Sequence, residues 1–300
     1  MTTISPRISQ AIETISQDRT HGAGWLARDA ANVLTHSLED CPARTAAEFL
    51  SYLREVATAL AQAQPSMAAV TNAVGAVVLA AGQKAPGGLP AMRRAASAQG
   101  RQIVDNWDKA CRRIVRHAEG TLPRGAIMTH SYSATTFAIL ERLASKGSPI
   151  IVTESAPLNE GRTVARLLAR LDVPVTLISD AQAAAFIPEA AAVLVGADTV
   201  FANGAVVNKV GTCALAFLAR NARIPFYVAT ETLKVAPGRP ETARRAPAEK
   251  QPGLAIPAVY FDLTPPRLVT ALITEEGVFA PKEIRPLATR ARQYRKALYP

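Results

Sequence analysis

Residues 193–212 read VLVGADTVFANGAVVNKVGT. An apolar run ends on one carboxylate, Asp198, and a Gly- and Asn-rich turn then leads to an amide and an ammonium, Asn208 and Lys209. A carboxylate can move protons, and an amide with an ammonium can hold a polyol or an anion, so this spacing could serve acid/base chemistry on a sugar or a phosphate. Two further groups close an earlier apolar run: His130, whose ordinary pKa lies near neutrality, and the hydroxyl of Ser131. Glu154 ends the run PIIVTE. Gly22-Ala23-Gly24, ahead of an apolar helix, offers backbone N–H groups to an anion. It follows no strand, so it is not a dinucleotide fingerprint. The same residues also fit a turn cap, a surface lysine and a hydrogen-bonded structural histidine.

The flanking pattern supplies the elements that must position these groups. From Ala46, Phe49, Leu50, Leu53, Val56, Ala57 and Leu60 recur at helical steps, and RQIVDNWDKACRRIVRHAEG stripes Ile103, Trp107, Cys111 and Ile114. KAPGGLP at 84–90 reads as a loop between helices. After Leu122-Pro123-Arg124 short apolar runs alternate with helical patterns: 125–130, 149–154, 173–179, 192–197 and 224–230, the last after a helix expected to begin at Lys209. Such runs predict a parallel sheet covered on both faces. The expected fold is α/β: an all-helical N-terminal domain over 1–122, then a Rossmann-like parallel sheet domain over 123–300. Ligands of such sheets bind outside the carboxyl ends of the strands. Asp198 then faces a crevice, where desolvation would raise its pKa. The Pro- and charge-rich stretch 234–253 reads as a mobile lid or an irregular loop.

Composition narrows the class. The chain has 300 residues, 49% of them hydrophobic, enough for a sizeable core. No apolar stretch approaches the ~20 residues of a membrane span, and the N-terminus lacks a signal-peptide core, so a soluble, cytoplasmic protein is expected. Cys41, Cys111 and Cys213 have neither CxxC spacing nor clustered histidines, which predicts no metal site and no disulfide scaffold, and no cofactor is expected. The net charge of +10 is concentrated in 239–250 and 289–296, without interleaved aromatics. It reads as solvated basic segments rather than a nucleic-acid surface.

The motifs IMTHSYSATTFAIL, VTESAPLNEG, PVTLISDAQAAAFI, VGADTVFANGAVVNKVGT, PFYVATETLK and FDLTPPRLVTALITEEG occur in the order of the translation initiation factor 2B alpha/beta/delta family, which the chain resembles. That family includes methylthioribose-1-phosphate isomerase and ribose-1,5-bisphosphate isomerase. The resemblance covers most of 120–280, with weaker likeness at 21–24 and 63–74. It implies dimers built largely through the Rossmann-like domain. In the isomerases it implies a ring-opened sugar phosphate between a cysteine and an aspartate. The aspartate carries over to Asp198, and Asn208 and Lys209 carry over as sugar and phosphate contacts.

Several positions depart from that pattern. The isomerases' THC is Thr129-His130-Ser131 here, and a serine hydroxyl without an activating base keeps its proton at neutral pH. The arginines of RGAG, ARPT and ESRP are His21, Gln64 and Ala156. Losing these guanidiniums argues against a bisphosphate ligand. The serine and the non-arginine motif resemble the regulatory alpha subunit of the translation factor. The expectation is therefore a homodimer that binds a sugar phosphate or nucleotide, with Gly22, Ala23, Gly24, Glu154, Asn208 and Lys209 as ligand contacts, without the cysteine chemistry. The alternative is an aldose–ketose isomerase in which Asp198 acts with His130 or Ser131.

Overall fold

A computed structural model describes residues 4–18, 21–65, 67–238, 245–251 and 254–300. Two compact units divide the chain: residues 1–109 with 233–237 and 286–300, and residues 110–232 with 238–285.

The first unit is helical. It comprises α1 (Pro6–Gln17), α2 (Ala23–His36), α3 (Ala46–Ala63), α4 (Ala68–Gln83), α5 (Gly88–Asp105) and the start of α6 (Trp107–Thr121). Thr45 and Glu48 form a reciprocal capping box that fixes the start of α3. The predicted stripe on α3 is buried at Phe49, Leu53, Val56, Ala57 and Leu60, against Leu34 of α2, Val74 of α4 and Met92 of α5. The stretch expected as a loop at 84–90 is shorter than that: after a 3-10 turn at Ala85–Gly87, α5 already begins at Gly88, whose φ of 73° turns the chain.

The second unit begins with β1 (Ala126–His130), α7 (Ala134–Ala144), β2 (Ile150–Thr153), α8 (Glu160–Ala169), β3 (Val175–Ile178), α9 (Ala183–Phe186) and β4 (Ala190–Val195). It continues through β5 (Thr199–Phe201), β6 (Val206–Lys209), α10 (Thr212–Asn221), β7 (Phe226–Ala229), and, after β8 (Val235–Ala236) of the first unit, β9 (Arg245–Gln251), β10 (Leu254–Val259), β11 (Phe261–Thr264), β12 (Ala271–Thr274) and β13 (Gly277–Phe279). The closing helix, α11 (Arg285–Leu298), returns to the helical unit through Leu298. The main sheet has the order β13-β12-β7-β4-β1-β2-β3, parallel except for β13. Read from β3, its parallel strands follow the Rossmann order 3-2-1-4-5-6. Ile127, Ile150, Val152, Ala192 and Leu194 are buried in it, as near-continuously apolar strands require.

Every strand expected from the short apolar runs is present. β6 corrects one reading: Asn208 and Lys209 end a strand, and the helix starts three residues later, at Thr212. β6 pairs antiparallel with β5 and β11 in a small second sheet. Asn203-Gly204 turns β5 into β6, with Gly204 at φ 84°. Of the stretch 234–253, residues 239–244 and 252–253 lie outside the described residues. The rest includes β8 and β9, and β9 pairs antiparallel with β10.

Candidate functional site

β1 and β4 are neighbours, yet β1 leads to β2 on one side while β4 is followed by β7 on the other. Their carboxyl ends therefore flank the topological switch point, where ligand crevices form in such sheets. His130 is the last residue of β1 and pairs with Val195, the last of β4, so His130 and Asp198 belong to the same stretch of the sheet edge.

His130 is 4% exposed. Its Nε2 lies 2.8 Å from the Val210 carbonyl, which only accepts, so Nε2 carries the proton. Nδ1 then accepts from the Thr153 hydroxyl at 2.6 Å. Burial pushes the imidazole pKa down, which keeps it neutral. With both nitrogens engaged, His130 ties β1 to β2 and to the turn after β6. Gly211 makes the contact possible: at φ 103°, an added Cβ would lie 2.8 Å from the His130 ring.

Ser131 has a left-handed backbone (φ 66°), and its N–H donates to Ser155 Oγ at 2.6 Å. Ser155 is itself left-handed, and the N–H groups of Ser155 and Ala156 donate to the two oxygens of Asp180 at 2.9 and 2.7 Å. Two turns in a conformation that costs L-residues energy are thus fixed through one carboxylate, as expected where a site is held in shape. Glu154 bonds Arg162 at 2.6 Å.

The side chains of Asn208 and Lys209 occupy successive positions of β6 and make separate contacts. Asn208 Nδ2 donates to Thr212 Oγ1 at 3.0 Å. Lys209, 6% exposed, places Nζ 2.6 Å from Glu160 Oε1, with the rings of Tyr260 and Phe261 at 5.9 and 5.5 Å. The other oxygen of Glu160 is buried with no hydrogen-bond partner among the described residues. Asp262, opposite Asn208 on β11, accepts the N–H groups of Gly211 (2.8 Å) and Cys213 (3.1 Å) at the start of α10. Burial pushes its carboxyl up, and those two bonds oppose the shift.

Asp198 is partly exposed, and its N–H donates to Val207 O at 2.9 Å, which fastens the end of β4 to β6. Further along the edge Glu231 is buried and accepts the Thr135 hydroxyl. Glu275 accepts the N–H and hydroxyl of Thr232, and burial pushes its carboxyl up.

Gly22, Ala23 and Gly24 lie in the helical unit at the start of α2, where Gly22 is the N-cap without a side-chain cap. Nothing lies near the Cβ that Gly22 lacks. At Gly24 a Cβ would come 1.9 Å from Trp107, so that glycine admits an indole against the helix. Spacing does not single out Ser155, Glu160, Asp262 or Glu275, because none ends a run that reads as a strand.

The Initiation factor 2 subunit family model matches residues 19–281. A ribose 1,5-bisphosphate isomerase of Haloferax volcanii is 33% identical, over 94% of this chain and 91% of the relative. The Pyrococcus horikoshii OT3 translation initiation factor eIF-2B superposes with a TM-score of 0.76 at 27% identity, covering 92% of this chain and 98% of that one. The 5-methylthioribose 1-phosphate isomerase of the same organism shares the fold, with a TM-score of 0.71 at 24% identity over 95% and 87% of the two chains.

Proposed function

The chain belongs to the initiation factor 2 subunit family, and from that premise we propose that it binds a phosphorylated pentose at the carboxyl edge of its sheet and interconverts the aldose and ketose forms. The single observation that carries the reading is Asp198 at the switch point, in a chain one-third identical over nearly its whole length to a ribose 1,5-bisphosphate isomerase.

In the ring-opened sugar the Asp198 carboxylate removes the C2 proton while the C1 carbonyl becomes an enediol oxygen. The carboxylate then delivers a proton, partly exchanged with solvent, to C1. The C2 hydroxyl proton passes to the C1 oxygen, or to the opened ring oxygen where C1 carries phosphate, and C2 becomes the new carbonyl, so the step is balanced without an oxidant. The Ser131 hydroxyl hydrogen-bonds the carbonyl oxygen but is too weak an acid to exchange that proton quickly. His130 holds the turn instead of moving protons, since both its nitrogens are engaged. The buried oxygen of Glu160 is an acceptor for a sugar hydroxyl, and Lys209 is the cation next to it. We take the working form to be a cytoplasmic homodimer, which sedimentation velocity would test.

Ribose 1,5-bisphosphate, ribose 5-phosphate and methylthioribose 1-phosphate should each be incubated with the protein in D2O and followed by NMR. Conversion to a ketose that Asp198→Asn removes is the expected result, and deuterium at C1 would mark proton transfer. No conversion of any of them would overturn the isomerase. A second reading, ligand binding without turnover, is favoured by serine at position 131; a sugar phosphate that raises Tm and is recovered unchanged would support it.

A further inference from the structure

At the opposite, amino edge of the main sheet lies a cavity of about 470 Å³, lined by Arg220, Arg223 and Arg267 with Ile224, Leu268 and Val269. Residues 220–225 lead from α10 into β7, and 267–270 lead into β12, so the cavity sits at the start of two adjacent parallel strands. Its size is that of a small-molecule site. None of the three guanidiniums is ion-paired to a carboxylate among the described residues; Arg267 lies over the Phe217 ring at 5.8 Å.

The backbone adds a second, independent observation. α10 ends in a Schellman motif: Ile224 N–H bonds Ala219 O at 2.8 Å, and Arg223 N–H bonds Arg220 O at 3.2 Å. The residue at its left-handed position is normally glycine, yet here it is Arg223, at φ 59°. A chain that needed only to stop the helix would gain stability from glycine there. The arginine instead carries a third cation to the rim of a cavity that already has two. The end of α10 attracts positive charge, which accounts for Arg220 in the last turn. Arg267 comes from a different segment, before β12, and is not explained by the helix.

We propose that this cavity is a second binding site, for a small, multiply charged oxyanion bearing phosphate groups, held by Arg220, Arg223 and Arg267 over an apolar floor. Guanidinium pairs grip phosphate through parallel N–H bonds, and three of them match a charge of two or more. The site lies at the edge of the sheet opposite Asp198, so its occupancy does not depend on the isomerase reading.

Inorganic pyrophosphate is the probe, titrated by calorimetry into the full chain and its variants. Arg223→Gly keeps the left-handed turn and removes only the charged side chain. It should raise Tm and weaken pyrophosphate binding at least 10-fold, while Arg223→Lys should retain a large part of the affinity. Arg267→Gln should weaken binding to a similar extent, and Lys209→Gln, in the crevice, should leave this binding unchanged. The proposal is overturned if wild type does not bind pyrophosphate. It is equally overturned if binding survives Arg223→Gly and Arg267→Gln but disappears with Lys209→Gln, which would place the anion in the crevice. Single-stranded RNA that binds through these arginines while pyrophosphate does not would assign the patch to nucleic acid and also sink it.

Discussion

The ammonium of Lys209 lies 2.6 Å from the Glu160 carboxylate, joining the end of β6 to the start of α8. Removing one member of a largely buried pair strands the other, so the loss exceeds the net worth of the contact. Lys209→Met should destabilise the fold by about 2–3 kcal/mol, and Glu160→Gln by less, since the Glu160 side chain is more exposed than that of Lys209 and glutamine leaves no unpaired charge on it. A double-mutant cycle by urea denaturation should return a coupling of about 1–2 kcal/mol. Additive single effects would mean that the two side chains are independent.

Ser131→Cys restores a group that titrates near neutrality at the sheet edge that carries Asp198. Turnover of a pentose phosphate should rise about 10²-fold, within the usual range for a positioned acid/base. Asp198→Asn should lower it by about 10³-fold in either background. Initial rates from coupled or NMR assays check both, and a Ser131→Cys variant no faster than wild type would remove Ser131 from the reacting atoms.

His130 sets an acid limit on stability. Its folded pKa is depressed by burial, so below the unfolded value of about 6.5 the unfolded chain binds a proton that the folded chain refuses. Stability should therefore be flat above that pH and fall as pH drops from there towards the depressed folded pKa. Glu275 and Asp262 work the other way, because their carboxyls are raised and take up protons in the folded state first. Denaturation curves at pH 7.5 and 5.5 should show the loss in wild type. His130→Gln, which can still donate to Val210 and accept from Thr153, should show a smaller one.

Gly211→Ala combines a disfavoured φ with a collision against the His130 ring. It should cost at least about 2 kcal/mol by chemical denaturation. If it costs less than Ala at an ordinary buried glycine, the histidine does not support the turn.

How much of this is legible in the sequence depends on which force positions each element. Ile150 to Thr153 and Ala190 to Val195 are buried on both faces, so the apolar runs announce them. The end of β6 reads as the start of a helix because VVNKVGT continues into a helical pattern, although Asn203-Gly204 just before it is the strongest short hairpin signal in the chain. The locations of Asp198, His130 and Ser131 at the sheet edge follow from strand ends alone. The roles of Ser155, Glu160 and Asp262 do not, since each depends on a partner 25 to 51 residues distant, such as Asp180, Lys209 or the N–H groups of Gly211 and Cys213. Such pairings are set by tertiary register rather than by local spacing.

Asp262 gives the start of α10 an occupant before any substrate arrives. The free N–H groups of a helix start ordinarily welcome phosphate, but here a carboxylate tethered through β11 already holds two of them. An incoming phosphate would meet an intramolecular competitor held in place at a high effective concentration. A phosphate could occupy the start of α10 only by displacing Asp262, so it would bind there only if its remaining contacts outweighed the expulsion of the protein's own anion.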